Sequence, residues 1–216
     1  MRGTLHGLRA LDLTGETGFL TGMLLGELGA DVIKVEAPAG DPARRRPPFW
    51  GGVADPERSL LWLALNSSKR GLTLDLERAA GRELFLRLAE GADVVLETEA
   101  PGGMAARGLG WETLHARNPR LILCSLTPFG QTGPYAHWRG SDLTVIAMSG
   151  NLHCTGDPDR APLRCALPVI TAMDAVAMLG ISIASCMATS PCCPVPVRSR
   201  ARSANATPAA ASMLPW

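Results

Sequence analysis

Apolar and polar residues follow two rhythms along this chain. Met23, Leu24, Leu25 and Leu28 recur at helical spacing, as on the buried stripe of an amphipathic helix. Gly29 follows where a helix end favours a residue that tolerates positive φ. Val32, Ile33 and Val35 then form a β-branched run around Lys34, which predicts a strand covered on both faces. Upstream, residues 8–13 (LRALDL) predict a first strand, the turn Gly15-Glu16-Thr17-Gly18 follows, and residues 19–28 predict the helix. Downstream, strands are predicted at 71–76, 93–97 and 121–126. A helix is predicted over 78–90 with Leu84, Phe85 and Leu88 on one face, and two short helical pieces near Met104 and over 112–117. The apolar run 60–65 lies between a loop rich in Pro and Gly and a polar turn, Asn66 to Arg70. Residues 128–142 (PFGQTGPYAHWRGSD) form a long loop, and loops of that length in a compact domain are more often functional than not. Helical patterns return at 143–148 and 167–183, with a loop over 151–164 between them. Repeated strand–helix alternation with short connections predicts an α/β fold, an open, mainly parallel, doubly wound sheet. In such sheets ligands bind at the carboxyl ends of the strands.

Composition narrows the function classes. Hydrophobic residues make up 46% of the chain and charged residues 19%, enough for a globular core. A net charge of +1 argues against a nucleic-acid binder, and 5% aromatic content argues against a platform for single strands. The most apolar region, residues 163–188, is interrupted by Arg164, Pro168 and Asp174, so no membrane span is expected. The N-terminus has no apolar export segment, and the six cysteines lack metal-ligand spacing. A cytoplasmic protein with reduced thiols and no metal site is the expectation. The Gly15–Gly18 turn lacks the G-x-G-x-x-G pattern, its Glu16 would repel a pyrophosphate, and no P-loop motif occurs.

Candidate chemistry gathers at strand ends. The strand 32–35 runs into Glu36, Pro38, Gly40 and Asp41, then Arg44-Arg45-Arg46. Three arginines in a loop at a strand's carboxyl end suggest an anionic ligand; a solvated turn is the alternative.

Six segments taken together carry a resemblance: LRALDLT, LGELGADVIKVEAPAGD, LNSSKRGLTLDL, GADVVLE, NPRLILCSLTPFGQTGPYA and MSGNLHCTGDPDRAPLR. In this order and spacing, over residues 5 to 168, they resemble the family III CoA-transferases. These are the carnitine and bile-acid CoA-transferase type, whose superfamily includes acyl-CoA racemases. The resemblance implies a Rossmann-like large domain, with residues 1–186 as its N-terminal part. It implies coenzyme A as a substrate rather than a permanently bound cofactor, with an acyl-CoA and a carboxylic acid as partners, in an interlocked homodimer. The residues implied to hold coenzyme A are Asn66, Lys69, Arg70, Arg107 and Arg139. Arg45, from the arginine cluster, joins them on a single cationic rim. Where the family reads E-N-F-R-P-G this chain has Glu97-Thr98-Glu99-Ala100-Pro101-Gly102. It has thus lost an aromatic and gained a carboxylate beside the expected polyanion, and Arg107 stands one place from the family's arginine.

The family's chemistry runs through one aspartate, usually three residues after the proline of a VP-x-x-D-like segment. That place here is Thr171, and Asp174 lies one helical turn further, the only carboxylate after Asp159. Asp174 is therefore the candidate nucleophile. The racemase branch would carry a histidine before an aspartate where this chain has Gly140-Ser141-Asp142, so transferase is favoured over racemase. Residues 187–216 contain no Asp, Glu, Lys or Gly, have no structural period, and predict a disordered tail. That composition fits an out-of-frame reading of a truncated gene, in which case this chain is an impaired transferase or an inactive remnant.

Overall fold

The computed structural model describes residues 3–157 and 159–163. Five strands form in that span: β1 (Arg9–Leu13), β2 (Asp31–Glu36), β3 (Arg70–Thr73), β4 (Val94–Glu97) and β5 (Ile122–Ser125). All pair in parallel, in the order β3-β2-β1-β4-β5. Six helices accompany them: α1 (Phe19–Glu27), α2 (Leu60–Asn66), α3 (Ala79–Glu90), α4 (Gly103–Ala106), α5 (Trp111–Arg117) and α6 (Asp142–Met148). The chain builds outward from β1 to β3, then crosses to the other side of β1 for β4. This reversal opens a crevice at the carboxyl ends of β1 and β4, where doubly wound sheets bind ligands.

Strand alternation explains the two-sided core. Leu11, Val35 and Val95 point to one face, where α3, α4 and α5 contribute Phe85, Leu86, Met104 and Leu114. Ala10, Val32, Val94 and Leu96 point to the other and meet Leu25 of α1. Their near-complete burial on both faces matches the β-branched composition of a central parallel sheet.

Several boundaries differ from the sequence expectation. The strand expected at 71–76 ends at Thr73, and Leu74 N–H makes a last bond to the Glu36 carbonyl (2.8 Å) as the chain leaves the sheet edge. The apolar run 60–65 folds as α2 because the Ser59 hydroxyl caps it, accepting from Trp62 N–H at 3.4 Å. On α3 the buried face is Phe85, Leu86 and Ala89; Leu84 turns outward beside the edge strand. On α1 the expected stripe is also rotated: Phe19, Thr21, Gly22 and Leu25 are buried, while Met23, Leu24 and Leu28 are half-buried. Glycines set this rotation. Gly18, Gly22 and Gly26 lie four residues apart on one face, and each lets α1 approach a polar neighbour closely. A Cβ on Gly18 would sit 2.5 Å from Thr14, one on Gly22 would strike the Asp12 carboxylate, and one on Gly26 would sit 2.7 Å from Ser68 Oγ. The helix end does fall at Gly29, with φ of 101°. The expected helix 167–183, Asp174 and the tail 187–216 lie outside the described residues.

Phe85 has no exposed surface and fills the larger core. Truncating it to alanine is expected to destabilise the protein by roughly 3–5 kcal/mol, the range for a large core side chain whose site cannot collapse. Urea unfolding should show this as a lower midpoint at unchanged slope.

Candidate functional site

A buried ionic cluster underlies the carboxyl edge of the sheet. Asp12 and Lys34 stand directly opposite each other on β1 and β2, both on the face covered by α1. Lys34 Nζ lies 3.4 Å from Asp12 Oδ1 and donates to the Thr14 carbonyl. Lys69, from the turn after α2, donates to Asp12 Oδ2 at 2.7 Å, to Asn66 Oδ1 at 2.8 Å and to the Phe19 carbonyl at 2.9 Å. Thr14 completes the carboxylate's shell through its N–H (2.9 Å) and its hydroxyl (2.6 Å). The Phe19 ring lies 4.9 and 5.3 Å from the two ammonium groups, a cation–π distance, and Trp62 packs edge-on against it. Burial pushes the Asp12 carboxyl up, but Lys34 and Lys69, with the hydrogen bonds of Lys69 and Thr14, outweigh it and hold the group below its ordinary value. Burial likewise pushes the Lys69 ammonium down, with Asp12 opposing.

A cleft of about 370 Å³ lies at the ends of β1 to β4 and meets this cluster at Thr14. Thr14, Glu36, Asp41, Glu77, Glu99 and Arg107 line it. Gly15 N–H donates to Thr98 Oγ1 at 2.7 Å, tying the β1 and β4 loops together across the crevice. The nearby arginines face inward partners. Arg44 grips Glu36 with two nitrogens (2.7 and 2.9 Å), reaches Glu57 at 2.8 Å and lies over the Trp62 ring. Arg107 bonds Glu99 at 2.6 Å and pairs with Glu77 at 3.0 Å. Burial raises the Glu36 carboxyl, yet the Arg44 hydrogen bonds, with Asp41 N–H and the charges of Arg44 and Lys34, bring it below normal. Asp41 is pushed up by burial. Glu97, 2% exposed at the end of β4, is also pushed up by burial, with Glu99 adding to the rise; the Ser125 hydroxyl and Glu99 N–H (2.5 Å) partly offset this.

The expected single cationic rim is divided. Arg45 follows β2 at the carboxyl edge, where it bonds the Ala39 carbonyl (3.0 Å). Arg70 opens β3 at the opposite, amino-terminal edge and pairs with Asp31 at 2.7 Å. Lys69 is interior with its ammonium group on Asp12, and the buried Asn66 accepts from Lys69 and donates to the Trp62 carbonyl (3.2 Å). Arg107 is in the cleft wall, and Arg139 is exposed on the loop after β5. The division follows from topology: parallel strands put a residue before β3 and a residue after β2 at opposite ends of the sheet. Sequence reasoning missed the Asp12–Lys34 pair. Its signal was available, as one acid and one base in the middle of apolar strand segments can both be buried only by pairing.

Replacing Asp12 with asparagine leaves two buried ammonium groups without their shared carboxylate. We expect a loss of roughly 3–5 kcal/mol at neutral pH, the scale for breaking a buried ion pair on one side. Because the folded value of Asp12 is depressed, its contribution is present above the ordinary carboxylate value and lost as pH falls through the folded one. The gap between wild type and Asp12→Asn in chemical denaturation should therefore narrow in acid. Glu97 behaves oppositely. With a raised folded value, the folded state holds more protons than the unfolded, so stability falls as pH rises through that window. Glu97→Gln should raise the melting temperature at pH 7, with the gain shrinking towards pH 4.

The sequence profile of CoA-transferase family III matches residues 5–190. The chain is 47% identical over 156 residues to a succinyl-CoA:(R)-benzylsuccinate CoA-transferase subunit of Thauera aromatica, covering 72% of this chain and 38% of that protein. It is 42% identical over 169 residues to a succinate–glutarate CoA-transferase of Agrobacterium fabrum, covering 76% and 42%. A crystal structure of a CAIB/BAIF family protein from Brucella suis superposes with a TM-score of 0.79 at 39% identity, over 86% of this chain and 49% of that one. The chain thus spans less than half the length of these relatives, and the parallel sheet described above is the part they share. On these grounds the chain belongs to CoA-transferase family III.

Proposed function

We propose that this chain is the coenzyme A-handling part of a CoA-transferase that moves coenzyme A from an acyl-CoA to a carboxylic acid. The observation that carries this reading is the cleft at the reversal point of the sheet, in a chain of this family. The names of the two relatives above make succinyl-CoA as donor and glutarate or (R)-benzylsuccinate as acceptor the first substrates to try. The Asp174 carboxylate attacks the thioester carbonyl, giving a mixed anhydride and the coenzyme A thiolate. The thiolate attacks the aspartyl carbonyl of the anhydride, releasing the donor acid and leaving an aspartyl thioester. The acceptor carboxylate then attacks that thioester, and the thiolate it expels takes the acceptor acyl group, regenerating Asp174. Covalent catalysis of this kind splits one difficult exchange into easier steps.

Arg45, Arg107 and Arg139 are proposed as phosphate contacts, and Arg70 as a more distant one. Lys69 and Asn66 contribute by fixing the turn that joins α2 to β3. A cytoplasmic location is proposed too, on the cysteine spacing described above. No helix among the described residues is long and apolar enough to cross a membrane. A homodimer is proposed from family membership.

A second reading, a coenzyme A-binding remnant without turnover, is favoured by one observation. Arg44 and Arg107 beside the cleft are both held by carboxylates. The two readings separate in a trapping experiment on the full 216-residue chain. Labelled succinyl-CoA followed by borohydride or hydroxylamine should leave a modification at Asp174 by mass mapping, absent in Asp174→Asn. Binding of coenzyme A with no modification at Asp174 would establish the remnant instead.

A further inference from the structure

β4 ends in a buried carboxyl that no charge pairing explains. Val94, Val95 and Leu96 are apolar and buried, and Glu97, which closes the strand, is buried with them. Its neighbours in register are Leu13 on β1 and Ser125 on β5. Asp12 is buried beside two ammonium groups, whereas Glu97 has no ion-pair partner among the described residues. Burial of such a group costs free energy unless its oxygens are hydrogen-bonded. Two donors reach it: the Ser125 hydroxyl on the neighbouring strand, and the Glu99 backbone N–H at 2.5 Å.

The bond to Glu99 does what the sheet can no longer do. Leu126 N–H donates to the Glu97 carbonyl at 2.9 Å, at the very end of β4. Past this point the chain leaves the sheet, and the Glu97 side chain stands in for a strand carbonyl towards the N–H two residues on. Thr98 is fixed between them, its hydroxyl accepting from Gly15 N–H at 2.7 Å. Further along the turn, Gly103 N–H bonds the Ala100 carbonyl at 2.7 Å. Thr98, Glu99 and Ala100 are consecutive wall residues of the cleft, so this wall is held from β1, β4 and β5 at once. The Glu99 side chain leaves the turn for Arg107 at 2.6 Å, so the same backbone bond also sets where the cleft's guanidinium lies. A carboxyl pushed up by burial makes the fold less stable at neutral pH than an amide in its place would. A group that costs stability where it stands, and that grips the backbone of a cleft-lining turn, serves the cleft more than the fold.

We propose that Glu97 is a positioning residue: through the Glu99 N–H, its carboxyl holds the wall formed by residues 98–100 in the shape that receives coenzyme A. This rests on the coenzyme A-transfer reading above and names the buried group that shapes the wall. Glu97 itself does not touch the ligand. It acts by ordering the turn before the ligand arrives, which lowers the cost of ordering it on binding.

The test uses the full chain, calorimetric titration with coenzyme A at pH 7, and amide hydrogen exchange without ligand. Glu97→Gln keeps an acceptor for the Glu99 N–H and should bind coenzyme A within about twofold of wild type. Glu97→Leu removes the acceptor and should bind about three- to tenfold more weakly after correction for the fraction folded, the scale of one net hydrogen bond. The Glu99 amide should be protected in wild type and in Glu97→Gln and exchange freely in Glu97→Leu, while the amides of β1 and β5 keep their protection. Coenzyme A bound by Glu97→Leu as tightly as by wild type, or a loss of protection spread over the whole sheet, overturns the positioning role and leaves the transfer reading standing. So does a wild-type Glu99 amide that exchanges at the rate of an unstructured peptide, an outcome that needs no substitution. Failure of wild type to bind coenzyme A overturns both.

Discussion

One carboxylate shared by two ammonium groups is the constraint on which this fold depends. Asp12 is completely buried, and its charge is tolerable only because Lys34 and Lys69 reach it from two other segments. Each reach fixes something larger. Lys34 fixes β2 in register against β1, since a slip of one residue would turn it to the opposite face of the sheet. Lys69 fixes the turn between α2 and β3, and so the place where the edge strand begins. The glycine at position 22 lets α1 close over the cluster and exclude water, because any larger residue would collide with Asp12 and with the Lys69 side chain. Sheet register, helix placement and edge strand therefore share one electrostatic requirement.

That requirement also shapes the surface above it. Two ammonium groups face one carboxylate in the cluster, and carboxylates dominate the cleft wall overhead. Asp41 feels Lys34, and Glu36 feels both Lys34 and Arg44. The charge of Lys34 and the carboxylates of the cleft wall thus offset one another across the carboxyl edge. What remains uncommitted lies further along, past β4, where the edge carries exposed aromatic rings and Arg139. The arrangement distinguishes a side suited to neutral or cationic groups from a side suited to anions.

The strands were readable in the sequence because β-branched runs bounded by Gly, Asn and Pro have few alternative structures, and the parallel order followed from short connections. The rotation of α1 was not. The leucines at 24 and 28 and the methionine at 23 are more hydrophobic than the glycines at 18, 22 and 26, so periodicity misplaces the centre of the stripe, although Leu25 is buried and Leu28 packs against the same core. Close approach to a polar neighbour, not hydrophobicity, decided which face turned inward. The site was readable in part. A cation inside an apolar strand is conspicuous, but sequence gives a charge without its partner. Lys69 and Arg70 are adjacent in the chain and alike in charge, yet one is interior beside Asp12 and the other is 66% exposed beside Asp31. Alternation along the chain sends neighbouring side chains in different directions, which no count of basic residues reveals.

This has a consequence for how basic residues near the cleft can be assigned roles. The Arg70–Asp31 pair is solvent-exposed and worth little to folding, so a substitution there reports on ligand contact with slight structural background. A substitution at Lys69 does not. It removes one of two cations from a fully buried carboxylate, and the destabilisation that follows loosens α1, the α2 turn and the end of β1 together. Under the proposed coenzyme A transfer, a Lys69 variant is therefore expected to bind coenzyme A more weakly through this loosening alone, because its ammonium group is buried against Asp12. Only a loss that survives correction for the fraction folded identifies a contact. By that criterion the exposed Arg139, distant from the buried cluster along the chain and free of ion pairs among the described residues, is the more informative cation.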